Sequence, residues 1–119
     1  MLFRSVTLDR RVDSTSVKVP HVGADNVAGG RIMAQWVISA FPNGARILLI
    51  TGQLGSSPSI DRTRGIKETL DAAGGKYQIV AEQSATWKRD QGLTVTQNVL
   101  TSLGEIGRAS CRERVLNLV

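Results

Sequence analysis

Hydrophobic and polar positions repeat along the chain as three strand-then-helix units. Short apolar runs mark strands, and apolar residues spaced three or four positions apart mark helices. The strand at residues 46–51 carries a continuous apolar run, which is typical of a strand buried on both faces of a parallel sheet. In chain order, the pattern predicts strands at residues 5–9, 21–24, 46–51 and 77–81, and helices at residues 26–41, 60–73 and from Asp90 onward.

Each predicted helix has an apolar face and signals for its ends. Asn26 is the expected N-cap of the first helix, and the turn residues 42–44 (PNG) end it. Gly74 and Gly75 end the second helix. The side chains expected to face the core are Ile32, Met33, Trp36, Val37 and Ala40, then Ile66, Leu70 and Ala73, then Leu93, Val99, Leu100 and Leu103.

The alternation of strands and helices predicts the α/β fold class, as a partial doubly wound parallel sheet with right-handed crossovers. In such sheets ligands bind beyond the carboxyl ends of the strands. The segments expected at that edge are Asp9 with Arg10, residues 52–57 and residues 83–87. The order of the elements alone therefore indicates which loops carry function.

Composition narrows the possible partners. The net charge is +5, but the basic residues are scattered, and the one cluster is Arg108, Arg112 and Arg114, so we expect no nucleic-acid partner. The longest apolar run, residues 47–50, is too short to cross a bilayer, and we expect no membrane insertion. A single cysteine, Cys111, and a single histidine, His21, leave no cysteine- or histidine-based metal site.

The motifs of common enzymes are missing from the sequence. The loop at residues 52–57 (GQLGSS) lacks the Gly-Lys-Ser/Thr ending of phosphate-binding loops and the three spaced glycines of dinucleotide loops. No Gly-x-Ser-x-Gly elbow occurs, and helix capping accounts for Asp25, Asp61 and Asp90. We therefore expect no cofactor and no enzyme activity.

Several side chains at the expected strand ends each allow two interpretations. Asp9 and Arg10 can bind neighbouring hydroxyls of a polyol, the carboxylate accepting and the guanidinium donating, or they can form an ordinary exposed ion pair. Arg62 has the same ambiguity. Trp87 can stack on the apolar face of a sugar ring or cover the core. The residue types alone leave these alternatives open.

Four sequence blocks together resemble the ribose-type periplasmic sugar-binding proteins. The blocks are residues 7–13 (TLDRRVD), 22–30 (VGADNVAGG), 50–66 (ITGQLGSSPSIDRTRGI) and 81–100 (AEQSATWKRDQGLTVTQNVL). Proteins of this family have two doubly wound lobes with the sugar held between them. The resemblance implies that residues 1–24 end the first lobe with a crossing strand and that residues 25–104 form the first half of the second lobe.

The resemblance also implies a set of ligand-binding residues. Asp9 and Arg10 match the first-lobe pair that hydrogen-bonds sugar hydroxyls, and Arg62 matches the second-lobe arginine that reaches the same sugar. Trp87 matches the aromatic residue that closes over a ring face. Gln53 and Leu54 would line the cleft less specifically. Ala24 stands where many members carry a serine.

As a function, the resemblance implies the substrate-binding component of an ABC-type sugar importer. Its ligand would be a monosaccharide or polyol, its partner a membrane permease and its location the periplasm. The alternative is the sugar-sensing domain of a LacI-type bacterial repressor, which shares the fold.

Residues 105–115 (EIGRASCRERV) are unlike the family's continuation and resemble a translated sequencing adapter, so residues 105–119 are treated as a tail. We expect this tail to be non-native and to contribute nothing to the fold. Because the remainder of both lobes is missing from the sequence, we also expect that the chain as written binds no sugar by itself.

Overall fold

Strands and helices alternate along the chain in the predicted order. The computed structural model describes residues 5–13, 16–103 and 115–118. Within these residues the strands are β1 (Thr7–Leu8), β2 (His21–Val22), β3 (Ala45–Thr51), β4 (Tyr77–Ser84) and β5 (Val115–Leu118), and the helices are α1 (Asn26–Ala40), α2 (Ser57–Ala72) and α3 (Arg89–Ser102).

The strands form two separate sheets, and every pairing is parallel. β1 pairs with β2, and in the larger sheet β3 lies between β4 and β5. The predicted α/β class with a partial parallel sheet is confirmed. We refer to residues 5–13 and 16–24 as the strand-pair unit, and to residues 25–103 with 115–118 as the body.

The core of the body lies on both faces of β3. Alternation along the strand sends Ile47 and Leu49 to one face and Leu48 and Ile50 to the other. Helices α1 and α2 together with β4 supply the partners on the first face, and α3 together with the loop after β4 supplies those on the second. The buried partners are Ala34, Val37, Ile66, Leu70 and Tyr77 on the first face, and Ala85 and Val99 on the second.

Two glycines allow the backbones of α1 and α2 to touch. A Cβ atom on Gly30 would lie 2.2 Å from the carbonyl oxygen of Arg62, and one on Gly65 would lie 2.2 Å from the carbonyl oxygen of Val27. Any side chain at these positions would push the helices apart. The close crossing places Arg62 beside the beginning of α1.

The core-facing side of α1 differs from the prediction. Val37 is buried and Met33 is half-buried, but Ile32 and Trp36 are 65% and 61% exposed, and Ala40 is also exposed. The small residues decide the orientation of the helix, because only its glycine- and alanine-bearing side fits closely against α2. In the other helices, Ile66, Leu70 and Val99 are buried and Ala73 and Leu103 half-buried as predicted, whereas Leu93 and Leu100 are exposed.

The ends of several elements also differ from the prediction. The predicted capping role of Asp25 is confirmed, because its carboxylate accepts a hydrogen bond from the backbone N–H of Ala28 at 2.9 Å, but Asn26 is not the N-cap of α1. Asp61 does not cap a helix, because α2 begins at Ser57. Asp90 lies in the first turn of α3, beyond the N-cap Lys88.

The tail contains one strand that the sequence analysis did not predict. Val115–Leu118 pairs with β3, with Arg46 opposite Val115 and Leu49 opposite Leu118. The expectation that the tail contributes nothing to the fold therefore does not hold for these four residues. A central apolar strand presents unpaired backbone groups at its free edge, and an extended segment satisfies them. The non-native origin of the tail stays a prediction, and Cys111 and the arginine cluster lie outside the described residues.

Candidate functional site

Loops from both units meet at the carboxyl ends of the strands. Asp9 and Arg10 follow β1, the segment from Gly52 to Leu54 follows β3, and Trp87 lies in the short loop after β4. The backbone N–H of Ala85 donates to the carbonyl oxygen of Thr51 at 2.9 Å and ties the second and third loops together. The strand-end rule therefore located three of the loops that converge here.

Arg10 connects the strand-pair unit to both loops of the body. Its Nη1 atom donates to Oε1 of Gln53 at 3.2 Å, and its guanidinium carbon lies 4.9 Å from the centroid of the Trp87 ring. A cation above an indole face is attracted by the negative face of the ring. Three of the predicted site residues thus lie in direct contact.

A cleft of about 260 Å³ opens beside this contact. Arg10, Gln53 and Leu54 line it, and the Leu54 side chain is 78% exposed. Arg11, Gly55, Ser56 and Ser57 complete its lining. Its walls come from the strand-pair unit and from the body, so its width depends on how the two are held together.

Trp87 is held by local features that the sequence analysis did not single out. Trp87 and the preceding Thr86 have left-handed backbone angles, with φ of 60° and 49°. A Cβ atom on Gly52 would lie 2.2 Å from the indole Nε1, so only glycine leaves room for the ring. The hydroxyl of Ser84 donates to the carbonyl oxygen of Gly52 at 2.6 Å and fixes this loop against β4. Positive φ values are unfavourable for these two residues, so the surrounding contacts, and not the local backbone preference, hold the ring in place.

Asp9 turns the chain at the end of β1. Its φ is 63°, a conformation that aspartate tolerates better than most residues, and its backbone N–H donates to the carbonyl oxygen of Val22 at 2.9 Å. The carboxylate is exposed and is not part of the lining of the 260 Å³ cleft. Asp9 therefore shapes the turn that presents Arg10.

Arg62 is held by a residue that the sequence analysis assigned only to capping. Its Nε donates to Oδ1 of Asn26 at 2.9 Å, and Asn26 is only 8% exposed. Asn26 in turn donates from Nδ2 to the carbonyl oxygen of Ala24 at 3.3 Å. Arg62 and Trp87 both line a cavity of about 20 Å³, which is large enough for a water molecule but not for a sugar. A shared ligand would have to lie outside this cavity.

Charged groups also meet beside Arg10. Arg11 hydrogen-bonds Asp13, 2.6 Å from its Nε, and Asp61, 3.2 Å from its Nη1. The bond to Asp13 and then that to Asp61 raise the pKa of Arg11, and the bond from Arg11 lowers the pKa of Asp13 below its usual value. Arg11 and Asp13 therefore both remain charged near neutral pH.

The described residues contain neither a cluster of metal ligands nor a membrane-spanning helix. Within residues 5–13, 16–103 and 115–118, no three His, Cys, Asp or Glu side chains come together as metal ligands do. In the same part of the chain, none of the helices has the length and apolarity of a membrane span.

A parallel sheet with polar side chains gathered at its carboxyl edge is the arrangement in which α/β proteins bind their ligands. The particular family follows from comparison with known proteins, since residues 5–107 match the model of the periplasmic binding protein domain. The chain belongs to the periplasmic binding protein family, and its relatives place it with the ribose-type members. This is a family of solute-binding proteins rather than enzymes, so the expectation of no enzyme activity is confirmed.

Individual relatives support this assignment. The ribose import binding protein of Haemophilus influenzae is 34% identical over 101 residues, which are 85% of this chain and 34% of that protein. The Caulobacter myo-inositol binding protein, solved with myo-inositol bound, is 53% identical with a TM-score of 0.81, and the match covers 84% of this chain and 34% of that one. A solute-binding protein from Actinobacillus succinogenes with bound D-allose is 30% identical with a TM-score of 0.74, over 82% of this chain and 36% of that one. The chain thus spans about a third of the length of these relatives.

Proposed function

We propose that this chain is part of the substrate-binding component of an ABC-type importer. The component binds a small monosaccharide or a cyclic polyol between two lobes and works with a membrane permease on the periplasmic side. The observation that carries the proposal is the contact of Arg10 with both Gln53 and Trp87, because it joins residues from two units at one edge of the strands.

The chemistry of these groups suits a neutral ligand with several hydroxyls. A guanidinium has five N–H donors, and Arg10 uses one of them for Gln53, so others remain for neighbouring hydroxyl oxygens. Gln53 supplies an amide that can both donate and accept. Trp87, 41% exposed, offers an apolar face to ring carbons. The exposed Asp9, next to Arg10, would add an acceptor, and Arg62, which lines a small cavity with Trp87, would add a donor.

Among possible ligands, we propose myo-inositol or a close cyclic polyol as the first candidate. The support is the 53% identity to the Caulobacter protein, compared with 34% to the Haemophilus ribose protein. A cyclitol presents hydroxyls around its whole ring, which suits hydrogen-bond donors on opposite walls. We further propose that this chain alone binds no sugar measurably, because enclosure between two lobes supplies much of the affinity.

Calorimetric titration of the intact protein that contains this chain tests the proposal. We expect saturable binding of myo-inositol and weaker binding of ribose, allose and xylitol. The variants Arg10→Ala and Arg62→Ala should each weaken binding by about 2–5 kcal/mol, the usual cost of removing a desolvated charged hydrogen-bond donor. Arg31→Ala is the matched control, since this guanidinium pairs with exposed Glu68 at 3.5 Å, on the outer surface of the helices.

The results can contradict the proposal at two levels. If the intact protein binds none of these compounds, the proposed ligand class is wrong. If it binds one of them and Arg10→Ala and Arg31→Ala have equal affinity, the ligand lies elsewhere and the site assignment is wrong.

A further inference from the structure

One ion-pair cluster joins the strand-pair unit to the body and is not needed by the proposed hydrogen bonds to ligand. Nη1 of Arg11 donates to Oδ2 of Asp61 at 3.2 Å, and Nη2 of Arg64 donates to Oδ1 of the same carboxylate at 3.2 Å. Each oxygen of Asp61 therefore has one arginine. Arg64 belongs to the same helix as Asp61, whereas Arg11 comes from the strand-pair unit.

The acceptor side of this contact is buried. Asp61 and Ser57 are each only 7% exposed, whereas the Arg11 side chain is 43% exposed. The backbone N–H of Arg11 donates to the Ser57 hydroxyl at 2.7 Å, so Arg11 is anchored by both its main chain and its side chain. A buried carboxylate needs a cationic partner, and Arg64 satisfies this need even without Arg11.

The geometry connects this anchor to the binding cleft. Arg11 immediately follows Arg10, so fixing the main chain of Arg11 also limits where the Arg10 guanidinium can lie. Arg11 and Ser57 themselves line the 260 Å³ cleft. In the strand-pair unit, by contrast, the apolar side chains of Val6, Leu8, Val12, Val17 and Val22 are more than half exposed and hold it weakly to the body.

We propose that the Arg11–Asp61 ion pair is a latch that holds the two walls of the cleft in their closed arrangement, with Arg11 as a positioning residue for Arg10. The proposal rests on the proposed function, in which the two walls belong to different lobes. A latch of this kind raises apparent affinity by raising the population of the closed arrangement.

The test compares two arginines that share one carboxylate. In the intact protein, Arg11→Ala removes the ion pair between the units, and Arg64→Ala removes the ion pair within the helix with the same loss of charge. Both variants leave Asp61 with one cationic partner, so both should fold. We expect Arg11→Ala to weaken myo-inositol binding by about 10- to 100-fold, mostly through faster release, and Arg64→Ala to change it less than threefold.

A distance measurement tests the latch without any ligand. Spin labels at the exposed positions Lys18→Cys and Ser39→Cys, in a protein whose other cysteines are replaced by serine, report the separation of the strand-pair unit from the body. Without ligand, we expect Arg11→Ala to lengthen and broaden the distance distribution, and Arg64→Ala to leave it like the parent. Arg11→Lys should restore it in part, because it returns the charge but not the two-pronged geometry.

The outcomes separate this proposal from the proposed function. An unchanged distance distribution in Arg11→Ala overturns the latch, whatever the protein binds. A changed distribution in a protein that binds no polyol supports the latch and contradicts the ligand assignment. Equal effects of Arg11→Ala and Arg64→Ala on distance would mean that the charge of Asp61, and not its contact between units, is what matters, and would also overturn the latch.

Discussion

The body and the strand-pair unit are held by different forces. In the body, apolar side chains on both faces of β3 are almost fully buried, with Ile47 and Leu48 each at 0% exposure. In the strand-pair unit, Leu8 and Val22 remain 69% and 61% exposed, and the contacts to the body are hydrogen bonds and ion pairs of Arg10 and Arg11.

Because of this difference, the structure of the body is fixed, whereas the position of the strand-pair unit can be adjusted. Burial of apolar surface is non-directional and large, so the body keeps one arrangement. Polar contacts in partly exposed positions exchange with water at small net cost, so the strand-pair unit can change its contacts without unfolding the body. The cleft between the two therefore has one rigid wall and one wall that polar groups position.

The largest expected effect lies in the body. Leu49→Ala should lower the free energy of unfolding by about 2–5 kcal/mol, because it leaves a cavity beside β3 where the side chain is 1% exposed. Leu54→Ala, at a position 78% exposed, is the matched control and should stay within about 0.5 kcal/mol. Urea unfolding of both variants measures this, and equal midpoints would show that the body is not held by its apolar core.

A second, smaller effect is expected at the contact between α1 and α2. Gly65→Ala should cost about 1–3 kcal/mol, because the added Cβ would meet the Val27 carbonyl oxygen at 2.2 Å. Gly29→Ala in α1 should instead stabilise by up to about 1 kcal/mol, since nothing lies within 4 Å of its Cβ position and alanine favours helix. Thermal unfolding should move in opposite directions for the two variants. If the unfolding temperatures of both variants shift in the same direction, the close contact between α1 and α2 is ruled out.

Substitution of Asn26 tests whether the body holds Arg62 in the orientation that ligand binding requires. Asn26→Ala should weaken polyol binding by roughly tenfold, about 1.4 kcal/mol, because Arg62 loses the acceptor at 2.9 Å that orients it. Asn98→Ala, an exposed position on α3, is the control and should leave affinity unchanged. Calorimetric titration compares the two. If Arg62→Ala weakens binding and Asn26→Ala does not, Arg62 orients itself without help.

The smallest expected effect is the response of the strand-pair unit to acid. The hydrogen bond from Arg11 lowers the pKa of Asp13 below its usual 3.8, so the folded state favours the carboxylate. The associated stability is present above pH 3.8 and is lost as pH falls through the lower folded-state pKa. The difference in thermal stability between the parent and Asp13→Asn should be constant between pH 5 and 8 and should shrink in stronger acid. A difference that grows on acidification would reverse the sign of this assignment.

Sequence reasoning predicted much of the candidate site because the ends of strands can be read from the local sequence. Arg10, Gln53 and Trp87 were expected at the carboxyl edge from the order of the elements and the family resemblance, and the structure brings them into contact. The roles of Gly52 and Asn26 were missed, because each depends on a partner that lies 35 or 36 positions away along the chain. The exposed position of Trp36 was missed because a helical apolar stripe does not show which side faces a close neighbour.

By itself, the sequence determined the order and type of the elements, the buried character of β3 and the family to which the chain belongs. These properties depend on the spacing of residues that are close together in the sequence and on motifs made of consecutive residues. Only the tertiary structure decided which side of α1 packs against α2 and where Arg62 is held. It also decided that Arg11 pairs with Asp61, which lies 50 positions away in the sequence. The physical reason is that such contacts form only when whole helices and strands pack together. The glycines at the helix crossing and the carboxylate of Asp61 have no partner nearby in the sequence, and packing brings their partners within contact distance.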